Sequence, residues 1–450
     1  MTNDRFHGHA VVIGASMAGL LAAHTLAAHY SHVTLIERDV LPAAGRTHRR
    51  GVPQGRHVHI LTAAGRQTIE KLMPGLTRSL KEDGALTPDV LGQWRYVFQG
   101  HRAVRTTVDA SALLAGRALT ESHVRDRTRQ LSNVTFVEGH EVTGLGFDTA
   151  THRITGVNMS SLEDPGQQRS LEAELVVDAT GRGARGLTWL QRAGLTLPEE
   201  DKTVIDIVYT TRRFRRRSGD LGNDQAVMIT PTAEIRRGGG MLAQEGDTWL
   251  VTLFGYLGEE PPTDLEGFKQ YAKSLAAQDV AEVLADAEPV DEGTMTRFPA
   301  SRRRHYELLE DLPDGYLVVG DALCSFNPIY GQGMTVAALE ADILDACLGE
   351  RHDRPLFGSP RLTEQFYSRL TPLLDVAWAT STGDDLKYPE VEGVRTPEQE
   401  QANAYLHLVY QAAAQDEEVS RGIVRVINFL DGPEALLSPA FMERVMKATN

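Results

Sequence analysis

At 450 residues the chain has room for a large core and more than one domain. Its 41% hydrophobic and 24% charged residues are an ordinary soluble composition, and a net charge of −15 argues against a nucleic-acid partner, which would need a basic face. The cluster Arg212, Arg213, Arg215, Arg216 and Arg217 is the main exception and reads as a solvated strand end or loop. Cys324 and Cys347 supply neither a disulfide framework nor a zinc-ligand cluster. The polar stretch 1–9 is not a secretory signal and no run approaches the ~20 apolar residues of a membrane span, so the expectation is a cytoplasmic protein without a transmembrane segment.

In chain order, residues 9–13 read as a buried strand, 17–29 as a helix and 33–36 as a second strand, giving an opening β-α-β unit. A basic loop over 38–59, rich in Gly, Pro and Arg, precedes a helix at 62–72. Alternation over 93–108 predicts strands, and a helical run follows over 111–131. Short strands are expected at 134–137, 141–146, 154–159 and 175–178. Four strands with no helix between them, at 203–213, 225–230, 239–242 and 248–254, predict an antiparallel sheet and a change of architecture. Helices over 265–276 and 280–285 precede a short buried strand at 317–319 and a helix at 332–348. Beyond 351 the chain reads as mostly helical, broken at Pro355, Pro389, Pro397, Pro433 and Pro439.

Three of these turns carry chemistry. Gly14-Ala15-Ser16-Met17-Ala18-Gly19 lies between a strand and a helix: Gly14 permits the tight turn, Gly19 lets helix and strand pack closely, and the helix N-terminus offers free N–H groups to a pyrophosphate. Ser16 stands where the middle glycine of that signature belongs. Glu37 ends the next strand, placed to accept hydrogen bonds from ribose hydroxyls. Asp178-Ala179-Thr180-Gly181 closes another buried strand and by itself is only a turn. Gly320-Asp321 ends an apolar strand, where the carboxylate suits a ribityl chain. Gly331-Gln332-Gly333-Met334 then opens a helix whose positive end suits the charge of a reduced flavin ring. Two such fingerprints about three hundred residues apart point to one long dinucleotide held at both ends, FAD. Arg117 is either a cover for the cofactor's phosphates or a solvated helical arginine. His57, His59 and His305 stay unassigned, and neither a P-loop nor a nucleophile elbow occurs.

At these residues the chain resembles the class A flavoprotein monooxygenases, which have the fold of p-hydroxybenzoate hydroxylase; residues 14–19 with Glu37, Thr180-Gly181 and Gly320-Asp321 match the family's three FAD motifs in order. Arg49-Arg50-Gly51-Val52-Pro53-Gln54-Gly55-Arg56-His57-Val58-His59 and Asn327-Pro328-Ile329-Tyr330-Gly331-Gln332-Gly333 are most similar to the squalene-epoxidase-like polyether epoxidases of lasalocid and monensin biosynthesis. The resemblance implies an α/β fold: a Rossmann-like FAD-binding domain (1–85, 108–196, 299–350), an inserted antiparallel-sheet substrate domain (86–107, 197–298) and a helical C-terminal region (351–450). It implies that Gly14, Ser16, Gly19, Glu37, Arg117, Asp321 and Gly333 contact FAD, with Arg49 near the cofactor and Val142 beside the adenine. Met17, Ala18, Arg38, Thr180, Gly181, Gly320, Gly331 and Met334 complete the candidate cofactor set; Ile207, Tyr209, Phe254, Pro328 and Trp378 are the candidate substrate pocket.

The implied activity is monooxygenation through a flavin C4a-hydroperoxide, with O2 as co-substrate and alkene epoxidation of a lipophilic polyketide or terpenoid as the expected reaction. An alkene needs no general base, which fits a sequence with no evident acid–base dyad. Thr180 replaces an Asp common in the family's second motif, so the electron donor is either NADPH or NADH, or a separate flavin reductase. An aromatic hydroxylase, a prenyl-chain reductase and a non-redox escort protein of the same fold are the alternatives. A flavin halogenase is disfavoured because no W-x-W-x-I-P signature occurs. Oligomeric state is left open.

Overall fold

A computed structural model describes residues 6–42, 49, 51–352 and 361–449. The expected helix break at Pro355, Arg50 and most of the basic loop at 43–48 lie outside the described residues.

A five-stranded sheet, parallel throughout, has the order Tyr316–Val318, Leu175–Asp178, Phe6–Ile13, Tyr30–Ile36, Val134–Val137. Its strands are Val-, Ile- and Leu-rich, as burial on both faces requires. The helices Met17–His29 and Gly333–His352 pack together over it, and Leu362–Asp385 packs on the second of them through Phe366, Leu370 and Leu374. A three-stranded antiparallel sheet, His140–Asp148, Arg153–Ser161 and Gln168–Glu172, leaves one end of the parallel sheet.

The third sheet has eight strands, in the order Cys324–Ser325, Thr294–Arg304, Glu200–Arg215, Thr248–Gly255, Arg237–Gln244, Ala226–Ile229, Trp94–Phe98, His101–Arg102. All its pairings are antiparallel except that of Ala226–Ile229 with Trp94–Phe98. Alternation assigns its faces. Trp249, Val251 and Leu253 pack under the helices Leu265–Lys273 and Asp279–Ala285, while Thr252 and Phe254 of the same strand face a cavity. Trp94, Tyr96 and Phe98 stack in register with Tyr410, at centroid spacings of 5.5, 5.3 and 5.0 Å, so the helices Pro397–Ala413 and Glu417–Ile427 cover that end of the sheet.

The structure departs from the sequence reading at several elements. The helix expected from 111 begins only at Arg117, because Ser111, Leu113 and Leu114 are drawn into bridges with Asp89, Leu61 and Leu86. Residues 104–108, expected to form a strand, join no ladder. Thr294–Arg304 is an eleven-residue strand that a proline and four arginines disguise. Pro299, with no N–H to donate, falls where the register against Glu200–Arg215 shifts between Val204 and Ile207. Arg212, expected to be solvated, is buried and donates to the Thr263 carbonyl at 2.7 Å.

Candidate active site

A cavity of about 850 Å³ runs from the first β-α turn, between the parallel sheet and the eight-stranded sheet, to a wall that includes Val58, Ile60, Met228, Phe254, Phe298 and Ile329. At the turn, Gly14 has φ +102° and its N–H donates to Ile36 at 2.8 Å. A Cβ on Gly19 would lie 1.8 Å from the Gly14 carbonyl oxygen, so only glycine permits this approach of helix to strand. Ser16 is the extended N-cap of the helix and its hydroxyl makes no capping bond, leaving the first-turn N–H groups facing the cavity.

Glu37 is buried. One carboxylate oxygen accepts from Ala15 N–H at 2.7 Å and the other from Asp39 N–H at 2.9 Å, so the strand-end carboxylate also fixes the glycine turn. Arg49 stands behind it rather than in the cavity wall. It donates to the Ala15 carbonyl at 2.9 Å, lies 3.4 Å from Glu37 and pairs with Glu121 at 2.7 Å; Glu121 in turn meets Arg117 at 3.2 Å. Glu37, Arg49, Glu121 and Arg117 form an alternating chain of four charges, each less than a tenth exposed. Alternation is what makes such burial tolerable. Glu121 was not singled out in the sequence, although it sits one helical turn beyond Arg117.

The second motif comes to the same cavity. Asp178 is buried, accepts from Thr180 N–H and the Tyr316 hydroxyl at 2.9 and 2.8 Å, and is pushed up in pKa by its burial. Thr180 and Gly181 line the cavity, as do Arg38, Val142, Met17 and Ala18. From the third motif, Gly320 has φ +62°, and a Cβ there would be 2.8 Å from the Ala18 side chain: two turns three hundred residues apart in sequence are in contact. The Gly320 N–H donates at 2.8 Å to Glu340, a carboxyl whose burial raises it to about 8. Asp321 faces the cavity with no hydrogen bond to any described residue; desolvation raises its pKa and Arg182 and Arg117 oppose the rise. Gly331, Gly333 and Met334 also line the cavity, and a Cβ on Gly333 would meet nothing within 4 Å.

Behind residues 327–331 lies a polar cluster that the sequence did not signal. One oxygen of the fully buried Asp385 accepts from Tyr256 at 2.7 Å, Asn327 at 2.8 Å and Tyr330 at 3.1 Å; the other has no partner among the described residues. Desolvation lifts Asp385 to about 7.

Of the five candidate substrate residues, Tyr209, Phe254 and Pro328 line the cavity. Ile207 does not: it is fully buried in a core shared with Leu386, Tyr388 and Val391. Nor does Trp378, which packs on the main core from the helix Leu362–Asp385. His57, left unassigned in the sequence, is buried in the wall. Its ring nitrogens lie 2.8 Å from the hydroxyls of Thr211 and Thr296, its ring meets Tyr209 edge-on at 4.4 Å, and Thr211 is 2.5 Å from Thr252.

The chemistry of this cradle suits a flavin dinucleotide: a helix N-terminus for phosphates, an unbonded carboxylate, and glycines that open space for a planar ring. The profile of the family described as FAD binding domain matches residues 8–350. The chain belongs to that family. It is 39% identical to Protein Rv3254 of Mycobacterium tuberculosis (strain ATCC 25618 / H37Rv), over 76% of this chain and 73% of the relative. Its fold is shared with the flavin-dependent brominase Bmp2 (TM-score 0.68, 15% identity, 98% of each chain). It is shared likewise with the p-nitrophenol 4-monooxygenase PnpA of Pseudomonas putida DLL-E4 (TM-score 0.64, 17% identity, 95% of this chain and 99% of the other). As in other members of the FAD binding domain family, the cofactor implied is FAD; no helix among the described residues is long and apolar enough to cross a membrane.

Proposed function

We propose that the protein is an FAD-dependent monooxygenase that inserts one atom of O2 into a lipophilic secondary metabolite, by epoxidation of an alkene. The observation that carries this reading is the continuity of the cavity: one space joins the glycine turn and Asp321 to the apolar wall around Met228, Phe254 and Phe298. FAD bound there supplies the redox chemistry, taking electrons from a donor and activating dioxygen, whose second atom leaves as water.

The chain's own residues then have three tasks. The first-turn N–H groups at Ser16 and Met17, with Arg117, would hold the diphosphate, and Glu37 and Asp321 would take ribose and ribityl hydroxyls. Gly331, Gly333 and Met334 line the cavity at the positive end of the helix Gly333–His352, which would face the flavin ring. The apolar wall excludes water and aims the alkene. Thr180, a neutral residue in the second motif, favours electron delivery by a separate flavin reductase over tight NADPH or NADH binding.

A second reading, hydroxylation of a phenolic aromatic, is favoured by His57. Phenols react faster once ionised, and Thr252, Thr211, His57 and Thr296 form a hydrogen-bonded path from the cavity towards half-exposed Thr296, able to carry a proton outwards. The FAD-loaded protein, reduced anaerobically, mixed with a polyene or a polycyclic phenol and then given labelled dioxygen, should yield product carrying one labelled atom. Turnover without oxygen would replace both readings with alkene reduction, and a protein that never takes up FAD would replace them with an escort role.

A further inference from the structure

The apolar end of the cavity contains two polar groups that the fold leaves unspent. Arg182 follows the Thr180-Gly181 turn and lies over the Phe298 ring, 5.1 Å from its centroid. Arg117 and Arg185, also in the cavity wall, are ion-paired with Glu121 and Glu141. Arg182 has no ion pair and no hydrogen bond to any described residue. Arg38, likewise without an ion pair to any described residue, sits beside Glu37 at the other end of the cavity. The second group is Tyr209, which is 3% exposed, lines the cavity, and makes no hydrogen bond through its hydroxyl to any described residue. Ile207 pairs with Phe298 and Tyr209 with Thr296 across adjacent strands, so the ring under Arg182 is a diagonal neighbour of the Tyr209 side chain, and Asp321 forms no ion pair with Arg182. A solvent-exposed guanidinium held on an aromatic ring close to a buried phenol, in a wall that also carries His57 and Thr252, is a donor set able to recognise a carboxylate.

We propose that Arg182 and Tyr209 form an anion subsite that holds the carboxylate of an otherwise apolar substrate, with the hydrocarbon lying along Phe254, Phe298 and Met228. This inference rests on the monooxygenase reading and narrows its substrate to a lipophilic acid. The guanidinium fork donates to both carboxylate oxygens, the Tyr209 hydroxyl donates to one of them, and the anchored head fixes which carbon of the chain faces the flavin. Charge-assisted hydrogen bonds of this kind favour the acid over its neutral ester by about 10- to 100-fold in affinity.

The test titrates FAD-loaded protein with oleate and with cinnamate, each against its methyl ester, and reads the shift of the visible flavin band. The expected result is tighter binding of at least one acid than of its ester by at least about tenfold. That preference should be lost in Arg182→Gln, partly kept in Arg182→Lys and weakened in Tyr209→Phe, with FAD retention equal in all four proteins. Esters that bind as well as acids, or the absence of a shift with either acid, would overturn the proposal. So would loss of FAD from Arg182→Gln, which would assign the guanidinium to the cofactor's diphosphate. A protein that prefers acids yet incorporates no labelled oxygen keeps the subsite and loses the monooxygenase reading.

Discussion

Replacing Asp385 by asparagine measures what the buried polar cluster behind residues 327–331 does to stability. The carboxyl rises from an ordinary 3.8 to about 7 in the folded protein because it is fully desolvated. The sign follows from proton counting. Between those two values the folded state keeps a proton that the unfolded chain has released, so stability falls as pH rises through this window and stays lower above it. At about 1.4 kcal/mol per pH unit the full loss is on the order of 4 kcal/mol, of which roughly 2–3 kcal/mol falls between about pH 5 and pH 8. Asparagine does not titrate. It keeps an acceptor for Tyr256, Asn327 and Tyr330, and whatever constant cost the amide brings is the same at both pH values. Glu340 and Asp178, which also titrate high, are present in both proteins and cancel. Urea unfolding of wild type and Asp385→Asn at the two pH values should therefore show the variant gaining roughly 2–3 kcal/mol relative to wild type on going to pH 8. Parallel pH dependence of the two proteins would show that Asp385 is ionised throughout this range and that burial does not raise its pKa.

Three further outcomes follow from the geometry. Gly19→Val places its branch in the Gly14 carbonyl, 1.8 Å from where a Cβ begins, so the purified variant should be colourless and destabilised by at least about 1–3 kcal/mol in thermal unfolding. Glu121→Gln leaves the buried Arg49 and Arg117 without their shared counter-charge and should cost about 3–5 kcal/mol in urea unfolding. His57→Phe cuts the hydroxyl path to Thr296: phenol turnover should fall at least about 100-fold while alkene turnover holds within about tenfold, and equal losses would remove the proton-carrying role.

Much of the fold was legible because its signals are local. The turn at Gly14 and Gly19, the carboxylate at the end of the second strand and the apolar triplet before Gly320 each announce themselves within a few residues. What stayed hidden depends on partners distant in sequence. Thr294–Arg304 reads as a basic loop until Glu200–Arg215 supplies its ladder, and its proline is harmless only because the register slips there. Leu113 and Leu114 have helical propensity but are claimed by bridges to Leu61 and Leu86. His57 shows nothing in its own neighbourhood; it becomes part of the wall only when Thr211 and Thr296, far along the chain, close on its two nitrogens. Ile207 fits the wall pattern, yet the segment carrying Leu386 and Tyr388 buries it in a core away from the cavity.

The contact between Gly320 and Ala18 also sets a schedule for biosynthesis. A ribosome must deliver more than two thirds of the polypeptide before the edge strand Tyr316–Val318 can join its partners. The nascent chain until then exposes the apolar flank of Leu175–Asp178 and has no complete nest for its prosthetic group. Flavin capture is thus among the last events of maturation, and products truncated before residue 316 should emerge as apoprotein prone to aggregation.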